Sequence, residues 1–264
     1  MRADYSIIVD ASASEEEKLD KHWTENWESI GNQRRAQWKI KLGPEYSVVN
    51  KYAPQPSSGA EPSRVLDGGC GLGEWCILLN DLGFEPHGLD ISTPTVEALT
   101  KEFPDMHFVR DDIRKTSFPD NHFDLYISWG TFEHFENGLQ DCFQEALRVM
   151  KPGGKLIITV PFYNERLKKM DGGQLPQKGE NTEFYQWRLE KDELRQEFEK
   201  GGFTCDHIEP IYTREGINRH LHHKYGVPYG RFNSLLSLGL SPFFPADTFA
   251  HMLIGIGTKP KAAE

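Results

Sequence analysis

Three aspartates, a glycine-dense turn and one histidine carry the chemistry available to this chain. Arg64–Val65–Leu66–Asp67 is a short apolar run ending in an acid, and Gly68–Gly69–Cys70–Gly71–Leu72–Gly73–Glu74 follows it. Beyond the turn, Trp75, Cys76, Leu78, Leu79 and Leu82 recur at helical spacing. Strand, loop and helix in that order make a cradle. Glycines take φ > 0 and let a ligand approach the backbone, and the helix start offers unpaired N–H groups. Asp90 ends the next apolar run, Gly88–Leu89–Asp90–Ile91–Ser92. A carboxylate there can accept from both hydroxyls of a vicinal diol. A third acid site lies in the adjacent pair Asp111 and Asp112, of which one could face a ligand and the other only solvent. His134, in Phe132–Glu133–His134–Phe135, titrates near neutrality and could take a proton from a hydroxyl or ammonium nucleophile. The alternative is that it only packs or caps its loop.

The glycine spacing discriminates between ligands. A nicotinamide dinucleotide wants G-x-G-x-x-G, with the third glycine close to the pyrophosphate. Here Gly69, Gly71 and Gly73 read G-x-G-x-G, and Glu74 occupies the third glycine position. An acid would repel a pyrophosphate there, whereas a cationic ligand would tolerate it.

The elements that must position these residues alternate from Arg64 onward. The patterning predicts strand 64–68, helix 73–83, strand 85–90, helix 93–103, strand 106–110, strand 122–128, helix 137–150 and strand 154–160. Ser92 is expected to cap helix 93–103. Leu156–Ile157–Ile158–Thr159–Val160 reads as a strand buried on both faces. Such alternation implies an α/β, doubly wound, mostly parallel sheet with helices on both faces, and ligands bind outside the carboxyl ends of its strands. Residues 161–188 read as irregular and lid-like, with Phe162, Tyr163, Phe184, Tyr185 and Trp187 flanking them. Helix 190–200, strand 204–212, a His- and aromatic-rich insertion at 213–246 and a last strand near 249–256 complete the pattern. Residues 15–43 carry Trp23, Trp27, Ile30, Trp38 and Ile40 at helical spacings, and 53–63 is a Pro/Ser/Gly-rich linker.

The bulk properties narrow the partners. The chain has 264 residues, 30 basic and 40 acidic, for a formal charge of −10. That disfavours nucleic acid and suits a small-molecule substrate. Four cysteines without a C-x-x-C pair, no leader pattern at Met1–Asp10 and no long apolar run point to a cytoplasmic protein without a membrane span. His220, His222 and His223 lack a nearby cysteine partner, so no metal site is expected. A homodimer is open.

Five ordered blocks between residues 64 and 161 resemble the class I S-adenosylmethionine-dependent methyltransferases, in their ubiquinone- and menaquinone-biosynthesis-like (type 11) branch. They are Val65–Gly73, Gly88–Ser92, Arg110–Ile113 with Phe118–Leu125, Phe132–Phe135, and Leu147–Gly154. The resemblance implies a Rossmann-like seven-stranded fold over residues 61–264, an N-terminal helical lid and linker over 1–60, and insertions 161–188 and 213–246 covering the substrate. It implies that Asp67, Gly69, Cys70, Gly71 and Gly73 hold the methionine end of S-adenosylmethionine, and that Asp90 takes the ribose. Ile91, Asp112 and Ile113 would hold the adenine, Ser128 or Trp129 would line the sulfonium, and Arg35 would meet the cofactor carboxylate. His134 would be the base. Gly130 stands where some relatives place a metal-assisting acid, which again implies no metal. The reaction implied is in-line methyl transfer to an oxygen, or a nitrogen, of a small metabolite or glycan precursor, leaving S-adenosylhomocysteine. The competing readings are a protein or RNA acceptor, and a cofactor-binding scaffold without turnover.

Overall fold

The computed structural model describes residues 1–7, 14–29, 31, 33–54, 61–172, 174–180 and 182–261. Ile30, Gly173, residues 8–10 and most of the expected linker lie outside them. The chain opens with β1 (Arg2–Ile7), α1 (Glu15–Ser29), α2 (Gln37–Lys41) and α3 (Pro44–Tyr52). Strand and helix then alternate through β2 (Arg64–Gly68), α4 (Glu74–Asp81), β3 (Glu85–Asp90), α5 (Thr93–Glu102) and β4 (His107–Arg110). Next come β5 (Phe123–Trp129), a 3-10 turn at Phe132–His134, α6 (Gln140–Val149) and β6 (Met150–Pro161). The remainder is α7 (Glu165–Asp171), β7 (Thr182–Arg188), α8 (Lys191–Lys200), β8 (Thr204–Ile211), α9 (Thr213–Tyr225), α10 (Arg231–Leu240), α11 (Ala246–Phe249) and β9 (Met252–Thr258).

Among the described residues, seven strands form one sheet in the order β4-β3-β2-β5-β6-β9-β8. The first five are mutually parallel; β9 runs antiparallel between β6 and β8. Strand order reverses between β2 and β5, so the ends of those strands, Asp67 and Trp129, flank the switch point where such sheets take ligands. Leu156, Ile157, Ile158 and Val160 of β6 are fully buried because helices cover both sheet faces. Cys142, Phe143, Ala146 and Val149 of α6 pack on one face with Leu194 and Phe198 of α8. Val48 and Val49 of α3, with Trp75, Leu78 and Leu79 of α4, pack on the other. Each large side chain buried this way stabilises the fold by about 1.5–3 kcal/mol.

Two segments differ from the sequence expectation. Residues 161–188 are not irregular throughout: among the described residues they hold α7 and β7, and β7 pairs antiparallel with β1, from Arg2 opposite Arg188 to Ile7 opposite Thr182. The N-terminal segment therefore begins with a strand. The 213–246 insertion is largely helical, through α9 and α10. The capping of α5 also differs. Ser92 Oγ bonds Thr95 Oγ1 and Thr24 Oγ1, each at 2.8 Å, and makes no cap bond. Thr93 N–H instead donates to Asp20 Oδ1 at 3.3 Å, so α1 supplies the acceptor and is tied across the carboxyl ends of the strands.

Candidate active site

A cleft lies at those strand ends, where sheets of this topology take ligands. Gly69, Asp90, Ile91, Asp112, Ile113, Trp129 and His134 line it together. Residues outside the expected ligand contacts complete the walls. Leu19 and the Trp23 and Trp27 rings of α1 cover it, and Asp111, Thr131 and Phe135 add to the floor.

Asp90 is 5% exposed and pre-oriented. Its Oδ2 accepts from Gly71 N–H at 2.8 Å and its Oδ1 from Ser92 N–H at 2.9 Å. Burial raises its pKa, and those two backbone donors work against the rise. Asp112 keeps both oxygens on the Arg114 guanidinium, at 2.7–3.2 Å. Asp111 takes Ser117 N–H at 2.7 Å. Both acids reach the cleft, so their adjacency does not leave one of them purely solvated.

The glycine turn fits closely against its cover. Gly71, at φ +50, has its α-carbon beneath Trp27; a Cβ there would lie 2.6 Å from the indole. Gly69, at φ +79, leaves no room for a side chain beside Thr131. The turn's first amides are already used, with Gly69 and Cys70 N–H both donating to Leu89 C=O at 2.8 Å. Cys70 and Gly73 pack behind the cleft against α5 and β4 rather than lining it.

Three more expected contacts are displaced from the lining. Ser128 Oγ donates to Gly68 C=O at 2.7 Å and pins the tips of β2 and β5 together, leaving Trp129 as the wall. Arg35 lies outside the cleft because Glu74 holds its guanidinium at 2.6 Å, with the arginine side chain 54% exposed. Asp67 is buried at the end of β2, and burial pushes its pKa to about 7. Its Oδ2 accepts from Cys76 Sγ at 3.6 Å, while Oδ1 has no partner among the described residues. The indole N–H groups of Trp27 and Trp129 are likewise buried and unpartnered. Such orphaned groups cost about 1–3 kcal/mol each, which favours a polar ligand at this end of the sheet.

His134 sits at the rim of the cleft. Its Nδ1 lies 2.8 Å from Tyr185 C=O, and since a carbonyl only accepts, Nδ1 carries the proton and Nε2 the lone pair. Its ring stands edge-on to Trp23 and Tyr185. Burial pushes its pKa down to about 4, so the imidazole is neutral at physiological pH.

A second, more open cavity meets the first at Gly130, which lines both. Tyr185, Glu133, Arg188, Arg2, Arg219 and His251 lie around it. Glu133 is 2% exposed with Oε2 unpartnered, and burial raises its pKa to about 8. The sequence offered only its place beside His134 as a signal. Of the aromatic residues expected to shape a substrate pocket, Tyr185 reaches this cavity, whereas Phe162 and Tyr163 are buried in packing. The histidines of α9 are engaged locally: His222 bonds Val227 C=O at 3.0 Å and stacks on Tyr229. Among the described residues one group could hold a metal ion, Glu85, His87 and His107, at the amino ends of β3 and β4 and away from the cleft.

Comparison with known proteins shows the family and the fold. A profile of the methyltransferase-domain family matches residues 33–208. The phosphoethanolamine N-methyltransferase of Plasmodium falciparum is 35% identical over 104 residues, covering 38% of this chain and 39% of that protein. The demethylmenaquinone methyltransferase of Staphylococcus haemolyticus is 30% identical over 183 residues, covering 61% and 76% respectively. The chain thus spans about two fifths of the first relative's length and three quarters of the second's. In fold it is similar to a Burkholderia thailandensis 1,6-didemethyltoxoflavin-N1-methyltransferase, with TM-score 0.59, 14% identity and coverage of 97% and 95% of the two chains. The chain belongs to the methyltransferase-domain family, within the class I S-adenosylmethionine-dependent methyltransferases.

Proposed function

We propose that this protein transfers a methyl group from S-adenosylmethionine to an oxygen, or a nitrogen, of a small metabolite or glycan precursor. One observation carries the reading: a cleft holding Asp90, Asp112, Ile113 and His134 shares Gly130 with a second, more open cavity that could take an acceptor. When bound, S-adenosylmethionine supplies an electrophilic methyl on a sulfonium. Asp90 would accept from the ribose hydroxyls, and Ile91, Asp112 and Ile113 would hold the adenine. Asp67, with the turn at Gly69–Gly71, would hold the methionine end, and Trp129 would flank the sulfonium. Residues 1–60 act as a cover over 61–264, supported by Leu19, Trp23 and Trp27 in the cleft wall. Segments 161–188 and 213–246 would enclose the acceptor, supported by Tyr185, Arg188 and Arg219 in the second cavity.

The protein's own task is orientation and exclusion of water, because the donor is already activated. A hydroxyl or ammonium acceptor must also lose a proton, and His134, whose Nδ1 is held by Tyr185 C=O, could take it on Nε2. A second reading gives that role to Glu133. A carboxyl with a pKa near 8 holds a proton more firmly than an imidazole near 4, and it borders the acceptor cavity. An RNA acceptor is disfavoured by the charge of −10. Calorimetric titration with S-adenosylmethionine, S-adenosylhomocysteine and NAD tests the donor, with binding of the first two and not the third expected. Transfer of radiolabelled methyl into a metabolite pool then separates an enzyme from a scaffold.

A further inference from the structure

We infer that the acceptor carries an oxyanion, a carboxylate or a phosphoryl group, and that Arg219 and Arg188 hold it in the second cavity. The inference rests on the first cleft being the sulfonium site, because the shared edge at Gly130 is what makes the second cavity the acceptor's.

The cavity is cationic in a chain of net charge −10. Arg2, Arg188 and Arg219 line it against two acids, Asp4 and Glu133. Asp4 is shared: it accepts from Arg188 Nε at 2.7 Å and also pairs with Arg2. Asp171 holds Arg2 from outside the lining, at 2.6 Å. Glu133 is protonated at neutral pH because burial raises its pKa to about 8, so it does not offset the arginines. That leaves Arg219 without a hydrogen-bond or ion-pair partner among the described residues, and Arg188 with only its Nε engaged. Arg188 is a mostly buried cation, its side chain 14% exposed.

His251 feels the same arginines. His251, on the same wall, has its pKa pushed down to about 3 by burial and by Arg219, Arg188 and Arg166. Arg166, on α7, has a buried Nε with no partner and is itself repelled by Arg188. Bringing three guanidinium groups together is unfavourable unless an anion joins them. A guanidinium offers a planar fork that matches two oxygens of a carboxylate or phosphoryl group. The arginines and Gly130 lie on one cavity wall system, so an acceptor anchored by its anionic end can present its nucleophilic atom at the Gly130 edge, beside Glu133 and His134.

The test uses the full chain saturated with S-adenosylhomocysteine, titrated with inorganic phosphate, with acetate and with choline. Phosphate or acetate should bind, and choline should not; the tighter of the two anions identifies the acceptor's group. Arg219→Gln should weaken that binding about tenfold or more while S-adenosylhomocysteine affinity is unchanged, since charge-assisted hydrogen bonds are lost. Arg219 is exposed and unpaired, so this variant should fold normally. Arg188→Gln should give the same loss, with S-adenosylhomocysteine binding reporting that the fold survives. Normal S-adenosylhomocysteine binding with no anion binding, or anion binding unaltered in Arg219→Gln, would overturn the inference and leave the donor reading intact. Failure to bind S-adenosylhomocysteine, with Arg219-dependent phosphate binding kept, would instead remove the donor reading and, with it, the cavity's role as acceptor site.

Discussion

The two cavities that meet at Gly130 are opposites in chemistry and in origin. The first is walled by acids and aromatic rings and comes largely from consecutive strand–loop–helix units, with Asp90, Asp112 and Trp129 each at or just beyond the tip of a parallel strand. The second is walled by arginines and is assembled from residues 2–5, 130–133, 161, 176–177, 185–188, 219 and 251–252. A cationic ligand suits the first and an anionic one the second. The sheet's local architecture builds the first, while chain segments far apart in sequence build the second.

Breaking the seam between the two should have the largest effect. If His134 takes the acceptor's proton, His134→Ala should lower turnover about a hundredfold or more while S-adenosylhomocysteine affinity stays constant. Normal turnover in a methyl-transfer assay would make His134 a packing residue against Trp23 and Tyr185. Next in size is Asp90→Ala, which removes the acceptor of two backbone amides as well as of the ribose. It should weaken S-adenosylhomocysteine by roughly 1–3 kcal/mol in calorimetry.

The pH profile sharpens the choice of base. A base works unprotonated, so the rate rises with pH through its pKa. With His134 as base, turnover is flat above about pH 5, since its pKa is about 4. With Glu133 as base, turnover climbs until about pH 8. Stability gives an independent reading of the same carboxyl. Its folded pKa lies above the ordinary 4.5, so its contribution is fully present below about pH 4.5 and is lost as pH rises through about 8. Glu133→Gln should therefore flatten the denaturant midpoint across that window. The smallest effect belongs to Arg35→Ala. Its exposed pair with Glu74 lies outside the cleft, so S-adenosylhomocysteine affinity should change less than about twofold and stability by about 0–1 kcal/mol.

The same contrast explains what was legible in the sequence. The parallel strands were readable because each is a local apolar run closed by a turn, and the acids at their tips have a fixed place in such a run. Asp90, Asp112 and Ile113 could thus be named from spacing and resemblance. The β1–β7 pair was not, because its partners are separated by about 180 residues and neither strand carries a signal of the other. With it went the arginine cavity, which exists only once Arg2 lies opposite Arg188. Side-chain competition hid smaller features. Ser92 has the residue type of a helix cap, yet Thr24 and Thr95 engage its hydroxyl and Asp20 supplies the acceptor at the start of α5. Glu74 was informative as a filter against pyrophosphate, but its grip on Arg35 depends on α2's approach to α4, which no local pattern records.

A crystal structure with S-adenosylhomocysteine tests the central claim most directly. The adenosine should lie between Asp90 and Asp112, with the sulfur directed toward Gly130 and the arginine-lined cavity beyond it. Density for the ligand in a different cleft, or with its sulfur turned away from Gly130, would contradict the account.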